Sequence, residues 1–458
     1  MRPTIVLNVV GLTPGMIGEA TPNLSRLAAA GGMRPLRTIL PAVTCPVQST
    51  FLTGELPSRH GIVGNGWFFR DLSEIFFWRQ SNHLVAGDKL WDAGRRRDPA
   101  FTCANMFWWY NMYSGADIGV TPRPMYPADG RKIPDCYANP AELRDELTRK
   151  FGRFPLFTFW GPATDISSSR WIADATKHVR RTRAPTVTLV YLPHLDYGLQ
   201  RHGPAHPSII KDLSDIDAVV GDLIADAERD GTAVIVVSEY GITEVSLPIH
   251  VNRALRKARL LAVREEMGRE QLDPGASAAF AVSDHQVAHI YVNRKDRQDE
   301  VRALIAAMDG VETVLDWEGK AAAGLDHPRS GDLIAVARTD AWFTYYHWLD
   351  DDRAPDFART VEIHRKPGFD PVELFLDPAL RWPKLSVGWR LAKRALGFRS
   401  LLDVVPLDAR LVKGSHGRPV DRPEMGPLLI TSCPDLLAAG PVPATMIKQL
   451  ILDHVFQT

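Results

Sequence analysis

The sequence predicts an α/β protein, a three-layer α/β/α sandwich around a largely parallel central sheet, and three observations carry that reading. Short apolar, β-branched runs recur along the 458 residues. Segments with helical spacing of apolar positions separate them, and chemically useful residues stand where the apolar runs stop. Continuous rather than alternating apolar strands are what a sheet covered by helices on both faces requires.

Thr4 to Val10, Thr186 to Leu192 and Ala233 to Ser238 are the buried strands of this scheme. Pro22 to Ala30, Arg170 to Val179 and Ile209 to Ala227 carry helical spacing between them. Ligands of open α/β sheets gather beyond the carboxyl ends of strands, and Gly11, Asp196 and Glu239 all follow such runs. Two stretches break the alternation inside a single catalytic domain spanning 1–458. Residues 107–162, rich in Pro, Tyr, Trp and Gly around a helix from Pro140 to Lys150, read as a cap over the site. Residues 341–410, with W-F-T-Y-Y-H-W-L-D-D-D, read as a loop-rich insertion beside it, and Ala444 to Val455 as a docking helix.

Composition excludes several classes. Lys and Arg number 54 and so do Asp and Glu, so the chain gives no electrostatic reason to expect nucleic acid or an anionic membrane as partner. The apolar run after Met1 and Arg2 is broken by Gly11 and Pro14, too short for a signal-peptide core or a membrane span. Cys45, Cys103, Cys136 and Cys433 are far apart without C-x-x-C spacing, which argues against a zinc knuckle or a disulfide framework and for a reducing cytoplasm. No repeat or low-complexity tract appears, and oligomeric state is not encoded in any pattern we find.

The richest stretch is P-A-V-T-C-P-V-Q-S-T-F-L-T-G, from Pro41 to Gly54, followed by H-G-I-V-G-N from His60 to Asn65. It sets one hydroxyl, Thr44, at the mouth of a helix, where unpaired backbone N–H groups and the positive dipole end can hold a phosphate. A threonine there is more often a simple helix cap than a nucleophile. The motif order changes that weighting. P-x-x-T-x-P, T-G-x-x-P and H-G-I-V-G-N, then Y-L-P-H-L-D-Y-G-L-Q-R-H-G-P, V-I-V-V-S-E-Y-G-I-T, G-D-L-I-A-V-A-R-T-D-A-W and G-S-H-G resemble the alkaline phosphatase superfamily, in its nucleotide pyrophosphatase/phosphodiesterase branch.

That resemblance implies an alkaline-phosphatase-like fold and a hydrolase with a threonine nucleophile, Thr44, acting on a small phosphorylated substrate. It also implies two divalent metals, usually zinc, that activate the hydroxyl and stabilise the leaving oxygen. Transferred position by position, it makes Thr44, Asp196, Glu239 and His416 the metal-binding residues here. Three expected ligands are altered. Val10 stands where the family has an aspartate, Gln200 where it has a histidine, and Tyr240 where it has another histidine; Glu239 lengthens an aspartate. The asparagine that donates to a phosphoryl oxygen corresponds to Val47. Because a neutral amide and a phenol are poor ligands at neutral pH, the pattern predicts one tightly held divalent metal or none, with magnesium or manganese suiting an oxygen-rich remnant.

Nearby histidines offer substitutes, His194, His202, His206, His250 and His285, of which His194 or His285 would join Asp196 and His416 first. Trp108, Trp109, Tyr110 and Trp160 are the substrate-binding residues expected from the cap, placed to stack on a planar group, with Arg123 and Lys132 near them to meet phosphate. The functional expectation is a phosphodiesterase or phosphatase-type hydrolase. Its rivals are a degenerate pseudoenzyme that binds a phosphorylated ligand, and a phosphoryl transferase using the same intermediate.

Overall fold

The strand Thr4–Val9 is fully buried and lies at the heart of a nine-stranded sheet. The computed structural model describes residues 1–456 apart from 129–130, 383–384, 386–387, 391, 394–395 and 397–400. Val187–Leu192 and Ala233–Val237 flank the central strand in parallel, and Cys103–Met106 and Ile118–Pro122 extend the parallel set on one side. On the other side Leu428–Thr431 runs antiparallel between Ala233–Val237 and Gly32–Arg37. The three strands expected from sequence are therefore the three at the centre, where burial on both faces removes polar positions.

Helices cover both faces. Pro22–Ala30, Ser167–Arg183 and Ile209–Glu228 pack together on one, and Thr44–Thr53, Leu90–Arg97 and Ile447–Phe456 on the other. Residues 107–162 are not detached from this sandwich. They supply its edge strands Ile118–Pro122 and Cys136–Asn139, the latter antiparallel, as well as the Glu142–Phe151 helix. The 341–410 stretch contributes the short strand Ala341–Phe343 and short 3-10 turns, and part of it lies outside the described residues.

A second apolar core, not anticipated from the sequence, surrounds a four-stranded antiparallel sheet of Ala279–Asp284, Val287–Val292, Leu333–Ala337 and Val311–Leu315. Its first hairpin turns on two residues, His285 and Gln286, and His285 adopts a positive φ of 61°. That turn projects from the smaller core toward the sandwich.

Register decides what meets at the carboxyl edge. Asn8 pairs with both Tyr191 and Val237, so the residues after Leu192 and after Val237 emerge side by side. Asp196 then sits in the first turn of the His194–His202 helix, and Glu239 and Tyr240 lie in the loop leaving the neighbouring strand.

Candidate active site

Thr44 is the first residue of the Thr44–Thr53 helix, and its side chain is almost wholly buried at the base of a cavity of about 1280 Å³. Its hydroxyl lies 3.3 Å from the Tyr240 hydroxyl, which donates to Asp196 Oδ1 at 3.2 Å. Gln200 Nε2 donates to the other oxygen of Asp196 at 2.8 Å, and His416 Nε2 stands 3.9 Å from Asp196 Oδ1. The rings of Tyr240 and His416 stack at 3.5 Å, and His285 lies against His416 at 3.7 Å with its ring tilted by 36°. Residues far apart in the chain thus converge on one carboxyl edge.

Glu239 occupies the adjoining position with no exposed surface. Its Oε1 accepts from Asn8 Nδ2 at 2.5 Å and from Gln48 Nε2 at 2.6 Å, while Oε2 has no partner. Gln48 is itself fixed by the Trp109 amide at 2.7 Å. Asn65 accepts from the Cys45 amide at 2.9 Å and donates to Asp284 Oδ1 at 3.2 Å. With the Cys45 amide taken and residue 46 a proline, the helix start has fewer backbone donors for an anion than its position promises.

Burial governs the charge states. It raises the Glu239 carboxyl to about 8 and Asp196 to about 7, although hydrogen bonds from Gln48 and Asn8, and from Tyr240 and Gln200, pull the other way. Asp284 rises to about 6, again through burial. Burial also drives His285 and His416 well below the usual histidine range, so both are neutral. His416 donates from Nδ1 to the Ala42 carbonyl at 2.8 Å, which leaves the Nε2 lone pair without a partner and facing Asp196.

The two-metal centre implied by the family pattern does not fit this donor set. Amide N–H groups of Asn8 and Gln48 bond Glu239 Oε1 and that of Gln200 bonds Asp196 Oδ2, so Gln200, where the family has a histidine, presents a donor to the carboxylate instead of a ligand nitrogen to a metal. Val10 is an apolar core residue, and Tyr240 remains a phenol because burial raises it well above its ordinary value. Among the described residues, the one group of three His, Cys, Asp or Glu side chains whose ligand atoms lie within 4.8 Å of one another is elsewhere, at His194, Asp212 and Asp215.

The aromatic expectations divide. Trp109 and Trp160 line the cavity. Trp108 and Tyr110 do not. Trp108 packs on Phe51 in the main core and Tyr110 joins a separate cluster with Cys45 and Trp67, because the chain turns through positive φ at Phe107 and Tyr110 and sends successive rings in different directions. Arg123 and Lys132 stand on the cavity wall with Arg79 and Arg365. Of the other histidines, His285 lines the cavity, His250 pairs with Thr344 at 2.7 Å, and His202 stacks on His206 at 4.9 Å. Val47 is a core residue, and the amide at the helix start is instead Asn65. Asn8, Gln48 and Asn65 were given no role from sequence. A lone Asn within the apolar run of Thr4–Val9 was the available signal, since a buried polar side chain needs a partner.

The profile of the type I phosphodiesterase/nucleotide pyrophosphatase family matches residues 4–370. Ectonucleotide pyrophosphatase/phosphodiesterase 1 of Saccharomyces cerevisiae is 22% identical over 286 residues, 54% of this chain and 35% of the relative. An uncharacterised pyrophosphatase/phosphodiesterase of Schizosaccharomyces pombe is 25% identical over 235 residues, 49% of this chain and 41% of the relative. The chain thus spans less than half the length of these relatives. Among solved structures, phosphonoacetate hydrolase of Sinorhizobium meliloti with bound phosphonoformate superposes with a TM-score of 0.64 at 16% identity, covering 99% of this chain and 96% of its own. Murine ectonucleotide pyrophosphatase/phosphodiesterase 5, an inactive threonine-to-alanine variant in complex with AMP, gives a TM-score of 0.60 at 15% identity, covering 100% of this chain and 96% of its own. No described helix is long and apolar enough to cross a membrane.

Proposed function

Because the chain belongs to the type I phosphodiesterase/nucleotide pyrophosphatase family, we propose that it hydrolyses a phosphate ester or diester with a bulky planar or apolar organic group, using Thr44 as nucleophile. The observation that carries this reading is the line of hydrogen bonds from the Thr44 hydroxyl through Tyr240 to Asp196 at the base of the cavity. Thr44 Oγ1 attacks phosphorus, its proton passes to the Tyr240 oxygen, and the Tyr240 proton passes to Asp196, whose buried carboxyl near 7 is suited to accept it at neutral pH. The bond from phosphorus to the leaving oxygen breaks, and that oxygen departs into the cavity, where it takes a proton from solvent. Water then attacks the phosphothreonine and leaves its proton on the phosphate, the bond from phosphorus to Thr44 Oγ1 breaks, and the proton held on Asp196 returns through Tyr240 to that oxygen. This proton chemistry takes over the hydroxyl activation that paired metals supply in the family pattern, so turnover is slow.

Substrate class follows from the walls. Trp78, Trp109, Phe157, Trp160 and Phe369 give the cavity an apolar, aromatic surface, and cations stand around it. At about 1280 Å³ it exceeds the ~300–1,000 Å³ typical of small-ligand pockets, room for a larger group than a nucleoside. That the murine relative is found in complex with AMP supports an organic phosphate as the ligand class.

The test is Thr44→Ala, assayed on aryl and long-alkyl phosphodiesters and monoesters. We expect hydrolysis to be lost while ligand binding persists and stability falls by only about 1 kcal/mol, the worth of its one hydrogen bond to Tyr240. Wild-type activity in Thr44→Ala removes the nucleophile. A wild-type protein that binds these phosphates without turnover supports the second reading, a binding protein, which the altered positions Val10, Gln200 and Tyr240 favour.

A further inference from the structure

The convergence of His194, Asp212 and Asp215 has no place in the chemistry at Thr44, and it is built unlike a surface accident. His194 opens the helix His194–His202, and Asp212 and Asp215 lie one turn apart on the long helix Ile209–Glu228 packed against it. Residues i and i+3 share a helix face, so both carboxylates are presented to the same neighbour. Gly198, four residues after His194 on its helix, admits them: a Cβ there would fall 2.0 Å from Asp212 Oδ2. The absence of a side chain at that position lets the carboxylate lie directly on the neighbouring helix.

His194 supplies the second, independent sign. It is 6% exposed, and neither ring nitrogen has a hydrogen-bond partner. Its Nε2 is 3.6 Å from Asp212 Oδ1, too long for a hydrogen bond. Two donors each about 2.1 Å from one ion would stand 3.6 Å apart at an angle of about 118°, near tetrahedral. The two carboxylates supply the charge that offsets a divalent cation, and the imidazole a nitrogen donor.

We propose that His194, Asp212 and Asp215 form a binding site for one divalent first-row transition ion. An imidazole with two carboxylates is the donor mixture of zinc or manganese rather than calcium, whose ligands are oxygens. The ion clamps the helix that carries Asp196 and Gln200 to the long helix behind it, and so acts on the Thr44 site only by positioning. Lys211 pairs with Asp215 and is the competing cation, with its side chain 76% exposed and able to swing into solvent.

The experiment is titration of chelator-treated full-length protein with Zn2+ or Mn2+, read by calorimetry and, for Co2+, by its visible absorption. We expect one equivalent bound by the wild type and by His416→Ala, affinity weakened by about tenfold or more in Asp212→Asn and Asp215→Asn, and affinity increased in Lys211→Met. The gain in Lys211→Met guards against variants that merely misfold. Binding that His416→Ala abolishes, binding indifferent to Asp212→Asn, or no binding at millimolar metal each overturns the proposal.

Discussion

Replacing Glu239 by glutamine tests whether the site at Thr44 is held by hydrogen bonds instead of cations. Burial sets the Glu239 carboxyl at about 8 in the folded protein against an ordinary value of 4.5. A carboxyl whose folded value is raised is protonated in the fold while the unfolded chain ionises, so its contribution to stability is complete below the unfolded value. It is lost as pH rises toward the folded one. Between about pH 5.5 and about pH 7.5 that linkage removes about 2.5 kcal/mol from wild-type stability. Asp196 and Asp284 move in the same direction and remain in the variant, so they cancel in the comparison. The introduced glutamine keeps the uncharged shape of the protonated acid and still offers an oxygen to Asn8 and Gln48. Urea unfolding of both proteins in chelator at the two pH values should therefore show Glu239→Gln gaining on the wild type by about 2.5 kcal/mol as pH rises. A gap that does not change with pH would mean that Glu239 is ionised in the fold, as it is beside a bound cation, and the hydrogen-bonded reading would fall.

Restoring two ligands of the family pattern, Val10→Asp with Tyr240→His, should create zinc binding at the Thr44 site, measured by calorimetry in an Asp212→Asn background. Lys366 is buried between Asp370 and Glu373 at 2.7 Å from each, and Lys366→Met should cost about 3–5 kcal/mol in urea unfolding by leaving two buried carboxylates unpaired. Trp109→Ala opens the cavity wall where Trp109 packs on Trp78 at 4.8 Å. It should raise KM for apolar substrates by about tenfold with kcat little changed, since a buried aromatic ring contributes about 1.5–3 kcal/mol.

How much of this was legible in the sequence depended on what each residue's neighbours reveal. Central strands such as Val187–Leu192 declared themselves, because burial on both faces leaves an unbroken apolar run. Helix Pro22–Ala30 matched its periodicity end to end. The edge strand Cys136–Asn139 did not declare itself, since four residues in a Pro- and Tyr-rich stretch take their conformation from the sheet they join. Ala279–Asp284 and Val287–Val292 went unread as strands, with His285 noted only as a candidate ligand, although two β-branched and aromatic runs around a two-residue turn are a hairpin signal. At the site, motif order led to Thr44, Asp196, Tyr240 and His416, which the structure brings together. The amides of Asn8, Gln48 and Asn65 stayed hidden, because Asn and Gln are ordinary surface residues and only burial makes them informative.

The antiparallel strand Leu428–Thr431 also governs the order in which this protein can be completed on a ribosome. It wedges between Gly32–Arg37 and Ala233–Val237, strands made much earlier in the chain, and His416 emerges shortly before it. Until then the nascent chain carries two unsatisfied strand edges in its largest sheet, open to pairing with another copy. A stalled or truncated chain ending before residue 428 should therefore be a chaperone client rather than a shortened enzyme. Contacts of such long sequence separation make the last step of folding the slow one.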